Sequence, residues 1–369
     1  MHLTFTPHQL QLRTLVRDFA QAEIAPTVRE RDAEERFERR IFDRLAELGL
    51  TGLPWPAALG GRGEPFLHYA MVIEELSQVC ASTGVMLSVH TSLTSWAIHT
   101  FGTAAQQEAF LRPLAVGKSL GAYCLTESES GSDAGAMRTT ARRDGDSYVL
   151  NGSKLFITSG GEAEVYIVFA LTEPALKQKG ISAFVVEKGT RGLSFGKKEK
   201  KLGIRASPTL EMLFDDCRIP AHNLLGQEGE GFHIALRCLD GGRIGIAAQA
   251  LGIAQAALDA GRDMLGNGPA AMRDLAAGVQ GARLLMYHAA WRKDRGLPYG
   301  KQAAMAKLWA SDTAVKVTND VVRLAGKEGV APGSTLERCW RDAKVTQIYE
   351  GTNEIQRIVI SRWLLSEGV

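Results

Sequence analysis

Tyr123-Cys124-Leu125-Thr126-Glu127-Ser128-Glu129-Ser130-Gly131-Ser132-Asp133-Ala134-Gly135 divides the chain into two textures. Before this stretch, apolar residues recur with a helical period. Leu12, Val16 and Phe19 share one face behind Thr6-Pro7-His8-Gln9, a capping-box pattern with proline at the first helical position. Ile41, Leu45 and Leu48 form a second stripe that Gly49 closes, and Tyr69, Val72, Ile73 and Leu76 form a third. Pro54, Pro56, Gly60, Gly61 and Gly63 mark the loop between these two. After the stretch, short β-branched and aromatic runs at 147–150, 165–170 and 181–186 alternate with Gly, Asn and Ser clusters, and this texture ends near Pro220. Helical spacing returns from Gly231. Ile244, Ala247, Leu251, Ala254 and Leu258 mark a packed seam, and Ile355, Ile358, Val359 and Trp363 fall on one face of the last helix. The expectation is an α+β multidomain chain. Its parts are an all-α domain over 1–120, a β-barrel or sandwich domain over 121–230 and a C-terminal four-helix bundle over 231–369.

Charge excludes several classes of function. The 369 residues carry 43 basic and 41 acidic side chains, a net of +2. That balance offers no electrostatic case for nucleic acid or an anionic membrane. The five cysteines (Cys80, Cys124, Cys217, Cys238 and Cys339) include no C-x-x-C pair, so free thiols are expected and no metal site. The N-terminus has no signal-peptide pattern and no apolar run reads as long enough to span a bilayer, which makes the cytoplasm the expected location.

Four stretches hold groups suited to chemistry. The 123–135 loop exposes hydroxyls and backbone N–H groups that can bond a heteroaromatic ring or a pyrophosphate, although an ordinary polar loop has the same composition. Asn151-Gly152-Ser153-Lys154-Leu155-Phe156-Ile157-Thr158 reads as an Asn-Gly turn and a strand, with Phe156 and Thr158 on one side by the period of two. Asp240 and Arg243 stand three apart on a helix and by themselves read as a solvated ion pair. In Arg341-Asp342-Ala343-Lys344-Val345-Thr346-Gln347-Ile348-Tyr349-Glu350-Gly351-Thr352-Asn353-Glu354, Glu350-Gly351 looks like a helix end and Thr352 or Asn353 can cap the next helix. A carboxylate at such a break projects away from both helices.

These motifs resemble the acyl-CoA dehydrogenase family over nearly the whole chain. Ser88-Val89-His90-Thr91-Ser92-Leu93 and the Gly-Gly-Arg-Ile-Gly-Ile run are similar to the short-chain, butyryl-type branch. Lys201-Leu202-Gly203-Ile204-Arg205-Ala206-Ser207 and Leu225-Gly226-Gln227-Glu228-Gly229-Glu230-Gly231-Phe232 also match family landmarks. The resemblance implies FAD as cofactor and Glu350 as the catalytic base. It places Tyr123, Leu125, Thr126, Ser132, Phe156, Thr158, Thr352, Asn353 and Glu354 against FAD, and Ser132, Asp240, Arg243 and Gly351 against the acyl-CoA substrate. Some members carry the base just before the position of Arg243; Gly242 stands there and has no side chain. The resemblance also implies a trans-2-enoyl-CoA product, an electron-transfer flavoprotein as acceptor, and a homo-oligomer (tetramer or dimer). His90 receives no role.

Two departures fall on one region. The family's Arg-x-x-Phe-Gly loop and following Gln have no counterpart between Gly261 and Met272. A second Gln and one Gly of a glycine-rich run are replaced by Arg323 and Lys327. In the family both segments approach the ADP half of the FAD bound to a neighbouring subunit. Arg323 is therefore the candidate for restoring positive charge there. A dehydrogenase or oxidase acting on an acyl carrier protein, and a flavin-poor acyl-thioester-binding scaffold on the same fold, are the alternative readings.

Overall fold

The computed structural model describes residues 4–266 and 270–367. Its N-terminal part is all helical: α1 (Pro7–Phe19), α2 (Ala25–Ala33), α3 (Arg39–Glu47), α4 (Phe66–Val79), α5 (Ala81–Ser88), α6 (Trp96–Phe101), α7 (Ala104–Gln106) and α8 (Arg112–Ala115). The capping box forms as read, and Leu12, Val16 and Phe19 are buried. It also fixes a proton. Gln9 Oε1 accepts from Thr6 N at 3.0 Å, which turns its Nε2 toward His68 Nε2 at 3.2 Å. His68 Nε2 must then accept, so Nδ1 carries the hydrogen donated to Glu64 at 2.9 Å, while His8 Nε2 meets the other Glu64 oxygen at 2.9 Å. The ligand atoms of His8, Glu64 and His68 lie within 4.8 Å of one another.

The middle part is one eight-stranded sheet: β1 (Gly121–Cys124), β2 (Thr140–Asp144), β3 (Ser147–Thr158), β4 (Val165–Leu171), β5 (Ile181–Glu187), β6 (Leu193–Lys198), β7 (Thr209–Pro220) and β8 (Leu224–Leu225). The order is β6-β7-β3-β2-β4-β5-β8, with β1 parallel to β4 off this path. Every residue of β4 is buried, as its unbroken apolar run requires. Asn151-Gly152 makes no turn. It lies inside the continuous strand β3, at a register shift against β7 between Leu150 and Gly152. Asn151 and Asp216 bond across the shift, with Asp216 N donating to Asn151 Oδ1 at 2.9 Å. Two strands joined across an irregularity carry the same turn-prone residues as a hairpin, and only the partner strand distinguishes them.

The C-terminal part holds α9 (Gly231–Leu265), α10 (Ala270–Asp294), α11 (Gly300–Ala325), α12 (Thr335–Ala343) and α13 (Asn353–Glu367). α9 is its axis, and Ile244, Ala247, Leu251, Ala254 and Leu258 are all buried. Contrary to the sequence reading, α9 is long and apolar enough to cross a membrane. In this fold 83% of its most apolar window is buried. Its glycines allow close packing: a Cβ on Gly252 would lie 2.5 Å from the Glu74 carbonyl oxygen of α4. The apolar face of α13 has no such cover, since Ile358 is 44% and Trp363 40% exposed.

Arg341 joins all three parts. Its guanidinium, on α12, donates to Asp32 at the end of α2 (2.6 Å), to the Leu202 carbonyl of the sheet domain (3.1 Å) and to Glu337 (2.6 Å). Next to it, Asp342 accepts the Ile204 N–H at 2.5 Å, and a Cβ on Gly203 would come 2.4 Å from the Arg341 carbonyl oxygen. Arg341 and Asp32 are both buried. Arg341→Met should therefore destabilise the protein by about 3–5 kcal/mol, because Asp32 would be left buried without its partner. A urea midpoint within experimental error of the parent would contradict this.

Candidate active site

After α12, residues Lys344–Gln347 form one 3-10 turn. Glu350 then takes φ +50° and Gly351 φ +90°, a left-handed step that breaks the helical path. α13 restarts behind it, with Thr352 Oγ1 accepting from Ile355 N at 3.3 Å. The step swings the Glu350 side chain across to α9. A Cβ on Gly242 would lie 2.0 Å from Glu350 Oε2 and 2.9 Å from Leu93 Cδ2, so a side chain there would displace the carboxylate from this position. Glu350 is half-buried overall, but both carboxylate oxygens are buried and have no hydrogen-bond partner among the described residues. Burial pushes its pKa up to about 7, against the opposing pull of Lys307 and Arg243. A carboxylate with that proton affinity and free lone pairs is fitted to accept a proton from carbon.

Positive charge surrounds it on two sides. Arg243 pairs with Asp240 at 2.5 Å, yet its side chain is only 6% exposed and its Nε is unpartnered. The Arg243 end of the pair is thus buried and the Asp240 end, at 26% exposure, only partly so, where the spacing alone suggests a solvated pair. Lys307 escaped the sequence reading altogether. It is fully buried on α11, and its ammonium donates to Gly351 O at 2.7 Å and Asn353 Oδ1 at 2.9 Å. The signal was present: Lys307 lies four residues after Ala303 and three before Ala310, both buried, and so falls on the core stripe of its helix. One turn beyond Gly242, the same side of α9 meets Tyr69 and Ser88, which bond to each other at 3.0 Å, and the Tyr349 hydroxyl bonds Gln249 Oε1.

The 123–135 loop forms the facing wall. Tyr123 and Leu125 are buried, Thr126 is half-buried and Ser132 is exposed. Tyr123 donates to the Ala235 carbonyl at 3.3 Å. A buried ion pair holds the loop: Lys154 Nζ lies 2.7 Å from Glu127 Oε1, and Glu127 also accepts from Arg138 N and Thr139 N. Lys154 is fully buried whereas Phe156, two residues on, is 60% exposed. Simple alternation fails here because Phe156 has φ +58° at a second register shift, between Lys154 and Ile157. The period-of-two argument for pairing Phe156 with the half-buried Thr158 therefore lapses. The bulge itself presents the Phe156 ring.

Other candidate residues lie apart or are engaged. The Asn353 side chain is taken up by Lys307, Ser311 and Asp312, and Glu354 is exposed beside Arg357. Arg323 is 82% exposed and pairs with Asp320 at 3.5 Å, on the rim of a groove of about 460 Å³ lined also by Asn319, Val322, Val330 and Trp340. Residues 267–269 of the shortened Gly261–Met272 stretch lie outside the described residues. His90 accepts from Gly121 N at 3.1 Å, and burial lowers its pKa to about 4, in keeping with a structural place.

Three family models match the chain in register: the N-terminal domain of acyl-CoA dehydrogenase over residues 6–118, the middle domain over 122–217 and the C-terminal domain over 229–365. A short-chain specific acyl-CoA dehydrogenase of Clostridium acetobutylicum is 46% identical, covering 98% of this chain and 99% of its own. The butyryl-CoA dehydrogenase of Megasphaera elsdenii superposes with a TM-score of 0.97 at 43% identity, over 99% of this chain and 100% of its own. A chain from the structure of the electron transferring flavoprotein of Acidaminococcus fermentans gives 0.97 at 46% identity, again over 99% and 100%.

The loop wall depends on the Glu127–Lys154 pair. Lys154→Met should cost about 3–5 kcal/mol of stability by leaving Glu127 buried without its cation. Faster amide exchange at Arg138 and Thr139 should accompany it. A loss below about 1 kcal/mol would mean that the pair is not what holds the loop.

Proposed function

The chain belongs to the acyl-CoA dehydrogenase family, and from that membership we propose that Glu350 removes the α-proton of a short-chain acyl-CoA as the enzyme forms the enoyl-CoA. The observation that carries this is the unpartnered carboxylate lodged against Gly242. Burial makes it a stronger base than an ordinary glutamate. Gly242 leaves that helix no competing base. Arg243 and Asp240, with Ser132 and Gly351, line the approach assigned to the thioester and its pantetheine arm.

The exposed ring of Phe156 and the hydroxyls of Thr126, Ser132 and Thr158 suit the flat, polar-edged isoalloxazine of FAD. Tyr123 and Leu125 support that wall from beneath. FAD, when bound there, supplies the acceptor for the hydride leaving the β-carbon. Thr352 and Glu354 would meet the cofactor from the start of α13. Asn353 would do so only through its backbone, since its side chain is engaged. An electron-transfer flavoprotein is the electron acceptor on this reading. The half-exposed apolar residues Trp309, Ile358, Trp363 and Leu364 support a homotetramer or dimer packed through the C-terminal part.

Glu350→Gln should keep the flavin absorption band but lower the rate of its bleaching by butyryl-CoA about 10²–10⁴-fold. In the parent protein that rate should fall as pH drops below about 7, because the protonated carboxyl cannot accept a proton. Turnover by the Gln variant within about tenfold of the parent would remove Glu350 from the role.

At the ADP end, Arg323 is the cation available to replace the missing arginine loop. Arg323→Ala should weaken FAD binding about tenfold, the loss of one charge-assisted hydrogen bond. Fluorescence titration of the apoprotein reads this directly. An unchanged Kd would assign the ADP moiety to another segment.

A further inference from the structure

We propose that Lys307 is a positioning residue for the general base, holding the hinge that presents Glu350 and supplying the positive charge against which its carboxylate ionises. This rests on Glu350 being the base. The hinge is the left-handed pair Glu350-Gly351, and its outer side is pinned by polar contacts from α11 and α13. Lys307 Nζ donates to Gly351 O at 2.7 Å, and Gln356 Nε2 donates to the same oxygen at 2.8 Å. Lys307 also holds Asn353 Oδ1 at 2.9 Å, and the Asn353 amide donates to Ser311 Oγ at 3.0 Å and Asp312 Oδ1 at 2.7 Å. The strained residue is thus fixed through its neighbours on the C-terminal side, which leaves its carboxylate free.

Hydrogen bonding alone does not require an ammonium. Lys307 is fully buried, and no carboxylate oxygen of the described residues lies within 4 Å of its nitrogen. An amide could satisfy Gly351 O without the several kcal/mol that burying a charge costs. The charges facing Lys307 are Glu350 on the hinge, Arg243 on α9, Asp312 on its own helix and Glu354 on α13, with Glu350 the strongest. Glu350 in turn is faced by Lys307 and Arg243, and by the phenols of Tyr69, Tyr123 and Tyr349. Arg243 already serves Asp240. Lys307 is the cation left to balance the base. Its own pKa is lowered to about 7 by burial, so charge on Lys307 and charge on Glu350 sustain each other.

The sign follows from this pairing. Removing the ammonium disfavours the ionised carboxylate, so the Glu350 pKa rises. In holoenzyme, stopped-flow bleaching of the flavin by butyryl-CoA should show its acid limb moved upward by about one pH unit or more in Lys307→Met and Lys307→Gln. At pH 7 the rate should fall about tenfold or more, and at pH 9 most of it should return. Lys307→Gln keeps an amide donor near Gly351 O and serves if the Met variant does not fold. The carboxyl ¹³C titration of Glu350, assigned with Glu350→Gln, should move in the same direction without any substrate. A loss of rate that is uniform across pH, with the ¹³C titration unmoved, would make Lys307 a structural residue only. Failure of the base assignment itself looks different: Glu350→Gln would then turn over with Lys307 intact.

Discussion

One buried guanidinium sets where the three parts of this protein meet. Arg341 satisfies a carboxylate from α2, a carbonyl from the sheet domain and a carboxylate one turn away on α12. None of the three partners belongs to the same part of the fold as another, so the angle between the parts is fixed by hydrogen-bond geometry as well as by apolar burial. Asp342 and Gly203 tighten the same junction. The chain leaves this anchor and reaches Glu350 only eight residues after Asp342. The position of the base is inherited from the junction. The residues on either side of Glu350 then convert a packed helix into a projecting side chain.

The carboxylate is kept reactive by what is withheld from it. No donor among the described residues reaches its oxygens, no side chain occupies position 242, and Lys307 and Arg243 act on it without a hydrogen bond. A hydrogen-bonded glutamate would be more stable and a weaker base. The helix α9 contributes by having glycine at the facing position, a choice that costs helix stability but creates room. A scaffold that merely bound thioesters would have no use for an unsatisfied buried carboxylate.

Much of this was legible in the residues. The capping box at Thr6, the stripe on α9 and the left-handed break at Glu350-Gly351 are local patterns whose geometry depends on few distant partners. The misreadings share a cause. Asn151-Gly152 and Phe156 sit at register shifts that exist only because β7 pairs alongside β3. The Asp240–Arg243 pair looked solvated because burial by α11 and the hinge is not written in a three-residue spacing. Lys307, between Ala306 and Leu308, reads as solvent-facing until the helix phase is counted. The length and apolarity of α9 also reach what a membrane span needs, but in this fold the helix is a core element packed against α4 and α11.

The Arg341–Asp32 bond also orders events in time. Its partners are 309 residues apart, so two distant segments are brought together in a closure that costs more entropy than any local contact. Asp32 is synthesised 309 residues before Arg341. The N-terminal helices are therefore made well before the contact that orients them, and before α9, which packs against α4. The junction of the three parts closes only after Arg341 has been made. The nascent chain exposes apolar surface until then, which makes the interval before closure the one in which aggregation competes with folding.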